Sequence, residues 1–372
     1  MMKAVREIDS LNSLLRQRGQ LRGAVVQGLD LSQAGVPWHE VDCDGAVFLG
    51  CDFPEGVGVE ELVLKGATVF PPFRHLPYDP YRPRLYTRQE LMEGWSLEND
   101  RSLDLRIYEH FAAHGRKHPH VLEALAMRLH DHAVDDALAD LLEGRVEGDG
   151  VKRVVGIMGG HSMGRDEEDF KRVARVAWHL AREGYFVATG GGPGVMEAGN
   201  LGAYFAGEDA EALEWALSHM EAAPGYQHED YSRLALEVIE RYPHGTSSLA
   251  VPTWFYGHEP TNWFSRHVAK YFSNSLREDG LLAIATHGVI YARGSAGTTQ
   301  EVFMDACQNH YRTFQVVSPM VFLGRDWFGE RTGIHEAVVR QAGEQKYGEY
   351  IALVDGVEEC VDFVRNHPPA VV

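Results

Sequence analysis

Three glycine-rich turns, each set between a short apolar run and a helical one, constrain this chain more than any other feature. They are Met158-Gly159-Gly160-His161-Ser162-Met163-Gly164, Thr189-Gly190-Gly191-Gly192-Pro193-Gly194-Val195-Met196-Glu197 and Arg293-Gly294-Ser295-Ala296-Gly297-Thr298-Thr299-Gln300-Glu301. Glycine admits positive φ and close backbone approach, and the free amides and positive end of a following helix attract a phosphate or carboxylate. Strand-to-helix packing alone can require one such turn. Three at one edge of one sheet point to a binding crevice.

The segments between the turns alternate strand and helix. Residues 152–158 and 185–189 read as buried strands around a helix over 166–183, whose Phe170, Val173, Val176, Ala177 and Leu180 share one face. A helix over 195–205, a strand over 247–251, a helix over 263–276, a strand over 288–291, a helix over 298–311 and strands over 316–323 and 349–354 continue the pattern. It predicts an α/β fold with a doubly wound, Rossmann-like parallel sheet. Residues 208–242 break the alternation with acidic, helical sequence and are expected to be a helical insertion beside the site.

Residues 1–148 read as an N-terminal α+β extension. Between 21 and 53 small and apolar residues alternate between turn signals, as short strands or a stubby coil would, with a repeat too short for a solenoid. Prolines and aromatics crowd 70–83, which should lie extended. Helical periodicity over 104–115 and 119–142 suggests two helices of a cap. Turn residues at Glu147-Gly148-Asp149-Gly150-Val151 mark the boundary with the domain over 149–372 that carries the glycine turns.

Charge narrows the partners. Lys and Arg total 35 against 54 Asp and Glu, a formal net charge of −19 over 372 residues, which repels polyanions and anionic bilayers. Neither nucleic acid nor membrane is an expected partner, and any anionic ligand must be held locally. The longest weakly polar stretch, 281–292, is too short to span a bilayer, and the charged first 22 residues lack a secretory core, so a cytoplasmic location is expected. Cys43, Cys51, Cys307 and Cys360 form no CxxC pair, and no metal site is expected.

The dinucleotide fingerprint GxGxxG fails at its third glycine, since Gly190 and Gly192 are followed by Val195, and GxxxxGK[ST] is absent. The second turn, Gly190-Gly191-Gly192-Pro193-Gly194-Val195-Met196-Glu197, and about a hundred residues later the third, Gly294-Ser295-Ala296-Gly297-Thr298-Thr299-Gln300-Glu301, together resemble the Lonely Guy (LOG) family, whose signatures are GGxxGxM and PGGxGTxxE. The resemblance covers roughly residues 151–355. It implies a Rossmann-like, dimeric, cofactor-free phosphoribohydrolase that cleaves a nucleoside 5′-monophosphate into free base and ribose 5-phosphate. It also implies phosphate contacts at Gly294, Gly297 and Thr298, a catalytic glutamate at Glu301 and a catalytic arginine best matched by Arg277, with Arg266 the runner-up. Arg293 and Ser295 stand where the family motif has proline and glycine.

Glu301 also has a physical case of its own. It lies three residues past Thr298, one turn inside a helix whose first amides would hold the phosphate, so one helix could grip both phosphate and sugar. A carboxylate beneath the ribose would stabilise the positive charge that builds as an N-glycosidic bond breaks. A first-turn Glu serving the helix dipole, or a capping box with Thr298, is the alternative. Glu197 repeats this geometry in the second turn and is expected to bind ligand with Gly191, Gly192, Gly194 and Met196. Gly160, His161 and Ser162 of the first turn are further candidates. Arg293 and Ser295 complete the set, Arg293 either adding charge beside the phosphate or making a surface ion pair. The aromatic segment Trp254-Phe255-Tyr256 could stack on a base or pack beneath the insertion, and Asp305 shares Glu301's face. A non-catalytic sensor or carrier using the same crevice is the competing expectation.

Overall fold

The small residues that alternate after Leu21 stack into a coil. The computed structural model, which describes residues 4–116, 118–146, 148 and 150–371, places them in one of two units, made of Met1–Leu85 with Ala112–Leu138. Strands β1 (Ala4–Val5), β2 (Val25–Gln27), β3 (Val47–Leu49) and β4 (Thr68–Phe70) form a parallel sheet in chain order. Helices α1 (Ile8–Arg18) and α2 (Val59–Leu64) lie in the connections. Val25 pairs with Val47 and Val47 with Thr68, so the chain returns over itself after 22 and then 21 residues. Ala24, Val26, Ala46, Phe48 and Ala67 point inward and are buried. The stubby coil is thus the form the repeat takes. The proline-rich segment is free of helix but is not extended as expected, since it runs through turns and bends from Arg74 onward, and it lies on the coil: Tyr81 donates to the Pro71 carbonyl at 2.9 Å, and Gln27 donates to the Tyr81 carbonyl at 2.9 Å. Gly50 has to be glycine there, because a Cβ would fall 2.1 Å from the Tyr81 ring.

The second unit comprises Tyr86–Phe111 and Ala139–Val372. The division falls within α4 (Leu103–Ala113) and α5 (Val121–Leu142), the two helices expected as a cap, and α3 (Arg88–Leu91) precedes them. Of the expected boundary turn, Glu147 and Asp149 lie outside the described residues.

Strands and helices then alternate: β5 (Arg153–Met158), α6 (Glu168–Arg182), β6 (Tyr185–Thr189), α7 (Val195–Tyr204), the inserted α8 (Ala210–Met220) and α9 (Tyr231–Arg241), β7 (Leu249–Ala250), β8 (His267–Val268), α10 (Asn274–Ile284), β9 (Val289–Tyr291) and α11 (Ala296–Tyr311). The chain ends with β10 (Val316–Val317), β11 (Met320–Leu323), α12 (Ile334–Ala342), β12 (Ile351–Val354), α13 (Val357–Asn366) and β13 (Ala370–Val371). Seven strands form one parallel sheet in the order β12-β11-β9-β5-β6-β7-β8. The fold is the expected Rossmann-like α/β arrangement. From β5 the order runs one way through β6, β7 and β8 and the other way through β9, β11 and β12, so the connections diverge at the β5–β9 pair. Crevices in open parallel sheets form at such a switch, beyond the carboxyl ends of the strands. The first glycine turn follows β5 and the third follows β9.

The predicted face of α6 is the buried one, with Phe170, Val173, Val176, Ala177 and Leu180 all in the core. Two expectations fail locally. The helix predicted over 263–276 begins only at Asn274, because the amides of His267, Ala269 and Tyr271 are taken by the carbonyls of Ser248, Ala250 and Pro252 in an edge ladder. The strand predicted over 316–323 breaks at Ser318-Pro319, and its first part, β10, pairs antiparallel with β13 outside the main sheet.

Candidate functional site

The three turns meet at Gly160. Its amide donates to the Arg293 carbonyl at 3.0 Å, and its carbonyl accepts from the Val195 amide at 3.1 Å. One residue therefore stitches the first turn to both others. The approach leaves no room for side chains: a Cβ on Gly194, where φ is +69°, would fall 2.5 Å from the Gly160 carbonyl oxygen, and one on Gly294 would fall 3.0 Å from the Gly160 nitrogen. These glycines serve turn-to-turn packing. Gly297 is different, exposed with nothing within 4 Å of where its Cβ would be. No side chain caps α11, and residues 295–297 are exposed, so Gly297 and the start of Thr298 offer the amides that a helix N-terminus leaves without internal partners.

The second turn rests on a buried polar network. Thr189 accepts from the Gly191 amide at 3.1 Å and donates to Asn200 at 2.6 Å, and Asn200 is joined by Ser248 and Asn262, each at 2.9 Å. Gly191 has φ +80° and abuts Ala250 and Pro252, while the Gly192 amide points at the Met196 sulfur, 3.4 Å away. His161 and Ser162 are exposed on the first turn.

Arg277 and Glu301 lie where α10 and α11 approach these turns. The Arg277 Nε donates to the Val251 carbonyl at 2.8 Å and its Nη2 to the Gly190 carbonyl at 3.4 Å, leaving Nη1 3.6 Å from Glu301 Oε1. Both side chains are only 12% exposed. Burial pushes the Glu301 carboxyl up to about 7; the charge of Arg277 works against this and that of Glu278 adds to it. Arg277 is thus anchored on two backbone carbonyls and aims its remaining edge at an acid poised near neutrality, an arrangement suited to proton transfer and to stabilising developing positive charge. One turn along α11, Asp305 is buried, accepts from the Tyr291 hydroxyl at 2.7 Å and from Asn309 at 3.3 Å, and is likewise pushed up to about 7 by burial, which outweighs the Tyr291 hydrogen bond.

Other candidates are placed differently. The Glu197 carboxylate, expected to face ligand, accepts from Arg165 Nε at 2.9 Å, Arg165 Nη2 at 2.5 Å and the Tyr231 hydroxyl at 2.7 Å, all in the core. The Arg165 guanidinium also lies 3.5 Å from the centre of the Tyr231 ring. Glu197 therefore fixes the insertion to α7, because a buried carboxylate with these three donors is already satisfied. Arg293 pairs with Glu167, whose other oxygen accepts from the Gly164 amide at 2.8 Å; it takes the ion-pair alternative. Arg266 precedes β8 and so stands at the amino ends of the parallel strands, across the sheet from the turns, with Nη1 3.5 Å from the Ser247 hydroxyl. It cannot share their anion. Trp254 is fully buried and donates to Asp104 at 2.7 Å, which removes it from stacking. Tyr256 is 69% exposed, and its hydroxyl accepts from Asn274, at the start of the helix that carries Arg277. Sequence reasoning missed Arg165, Glu278 and Tyr291, whose roles arise from contacts far apart in the chain.

Residues 152–208, from β5 through α7, match the model of the SLOG cluster4 family, part of the superfamily that includes the LOG proteins, so the resemblance to LOG is shown across the first two glycine turns. The match ends before Arg277, Arg293 and Glu301. No curated protein matches the chain. Among solved structures it is similar to the molybdenum cofactor binding protein of the phototrophic bacterium Rippkaea orientalis, at 16% identity and TM-score 0.35 over 58% of this chain and 96% of that one. It is also similar to the Moco carrier protein of Chlamydomonas reinhardtii, at 15% and 0.38 over 58% and 96%, and to TM1055, at 18% and 0.35 over 58% and 99%. Among the described residues no helix is long and apolar enough to cross a membrane.

Proposed function

We propose that the crevice beyond β5, β6 and β9 binds a nucleoside 5′-monophosphate and hydrolyses its N-glycosidic bond. The observation that carries this reading is the buried Glu301 carboxyl beside an arginine anchored on Gly190 and Val251. In this reading the phosphate sits on the uncapped start of α11 at Gly297 and Thr298, the ribose lies against Glu301 and the base reaches the exposed ring of Tyr256. As the bond between C1′ and the base nitrogen breaks, positive charge grows on the ribose and the Glu301 carboxylate stabilises it. Water then adds its hydroxyl to C1′, and its remaining proton goes, by way of Glu301, to the departing base. Arg277 holds the carboxylate in place. Dimeric assembly, which the LOG resemblance implies, belongs to the same proposal and is checked by the mass of the protein in solution.

The test is incubation of the full chain with a panel of nucleoside monophosphates, following free base and ribose 5-phosphate. Release that is lost in Glu301→Gln supports the reading; release unchanged in that variant overturns it. Binding of a phosphorylated ligand without cleavage is the second reading. The third turn favours it, because Arg293 is committed to Glu167 and Ser295 occupies a motif glycine position. Saturable binding with no product from any member of the panel selects it.

A further inference from the structure

Between β7 and β8 the chain runs from Trp254 to Asn262 without helix or strand, as a strap pinned to one buried carboxylate. Asp104 is fully buried and accepts from the Trp254 indole at 2.7 Å, at the start of the strap, and from the Thr261 hydroxyl at 3.2 Å, near its end. Lys270 donates to the same carboxylate at 2.8 Å, and His258 lies 3.2 Å from Asp100 and 3.6 Å from Asp104. Lys270 and His258 are therefore engaged by Asp104 and Asp100. Glu259, the next residue after His258, is exposed and has no ion-pair partner among the described residues.

The strap sets this acid on the wall of the crevice. A Cβ on Gly192 would fall 2.8 Å from Glu259 Oε2 and 2.7 Å from the Met196 methyl, and one on Gly190 would fall 2.7 Å from the Met196 sulfur and against the Arg277 guanidinium. The wall therefore runs from Glu301 through Arg277 and the half-buried Met196 to Glu259. Tyr256, on the same strap, accepts from Asn274 at 3.0 Å, and its hydroxyl feels the charges of Glu278 and Arg277. A ligand with its phosphate on α11 and its ribose against Glu301 would extend its base past Met196 toward Glu259. A carboxylate accepts hydrogen bonds and donates none, so one without a cation of its own favours an N–H there and repels a carbonyl oxygen.

We infer that Glu259 selects the base: the ligand is one that turns an exocyclic amino group toward the second glycine turn, and a base with an oxo group in that place is rejected. This rests on the reading that the crevice binds a nucleoside monophosphate, whether or not it is cleaved. The full chain is titrated calorimetrically with two pairs that exchange amino for oxo at one ring carbon, adenosine with inosine 5′-monophosphate and cytidine with uridine 5′-monophosphate. In each pair that binds, the amino member should bind about tenfold tighter or more, through a hydrogen bond to a charged acceptor. Glu259→Lys should abolish or reverse that preference, because an ammonium donates to the oxo group and cannot accept from the amine. Glu259 is exposed, so its replacement should leave the fold intact, and circular dichroism checks this. Equal affinities within the pairs, or a preference unchanged in Glu259→Lys, overturns the inference while nucleotide binding itself stands. Absence of saturation by all four up to about 10 mM overturns the inference together with the reading beneath it.

Discussion

The second and third glycine turns each lead into a helix that carries a glutamate near its start, Glu197 as the third residue of α7 and Glu301 as the sixth of α11, yet the two acids meet different surroundings. Glu197 is enclosed by Arg165 and Tyr231, with three short hydrogen bonds to its oxygens. Glu301 has one cation at 3.6 Å, a second acid nearby and a carboxyl raised to about 7. Local geometry sets where a carboxylate can point; distant chain segments decide whether it is neutralised or left reactive. In the second turn the decisive segments are Arg165 and the inserted α9, and in the third they are α10 and its Arg277.

The sharpest way to break this contrast is to remove each charge in turn. Glu301→Gln should lower cleavage of a nucleoside monophosphate by roughly 10²- to 10⁴-fold in steady-state assays with little loss of stability, since its amide fills the same space. Glu197→Gln should do the reverse, destabilising the fold by about 3 kcal/mol in denaturant titration because Arg165 is left buried without its counter-charge. Equal effects of the two substitutions on turnover would erase the distinction.

A pH profile sharpens it further. Catalysis by the Glu301 carboxylate requires the ionised form, so kcat/KM should rise as pH increases through about 7 and level off above. Stability moves the opposite way. Glu301 and Asp305 are both raised above their ordinary values of 4.5 and 3.8, each to about 7, so the folded chain keeps protons that the unfolded chain releases. Their contribution is fully present below about pH 4 and is lost as pH climbs to about 7. Asp305→Asn should remove its share, giving about 4 kcal/mol less loss of stability between pH 4 and pH 8 by thermal or denaturant unfolding. The smallest effect is expected from Arg293→Ala. Its ion pair with Glu167 is about one-third exposed on both sides, so stability should change by less than about 1 kcal/mol. A large fall in ligand affinity in that variant would instead return Arg293 to the anion site.

Much of this was legible because it is local. The alternation of apolar runs with glycine turns specified the sheet and its crevice, the α6 stripe specified its buried face, and the offset from Thr298 to Glu301 placed that acid one turn into its helix. What escaped was settled by tertiary pairing. Residues 263–273 carry enough apolar side chains for a helix, but Ser248, Ala250 and Pro252 offer a ladder that claims their amides. Arg277 and Arg266 are eleven residues apart and alike in type, and only the direction of β8 sends one to each edge of the sheet. Nothing near Glu197 in the chain announces Arg165, whose guanidinium arrives from before α6.

Gly160 donates into one neighbouring turn and accepts from the other, and a Cβ on it would sit 3.2 Å from the Gly294 Cα. The smallest side chain there would make the backbone opposite retreat by a few tenths of an ångström. Such a shift would fall on the third turn, at the mouth of α11, while the Gly160 carbonyl that would move with it holds the Val195 amide at the mouth of α7. A substitution at Gly160 should therefore loosen both helix mouths together, since its two backbone hydrogen bonds are the ties between them.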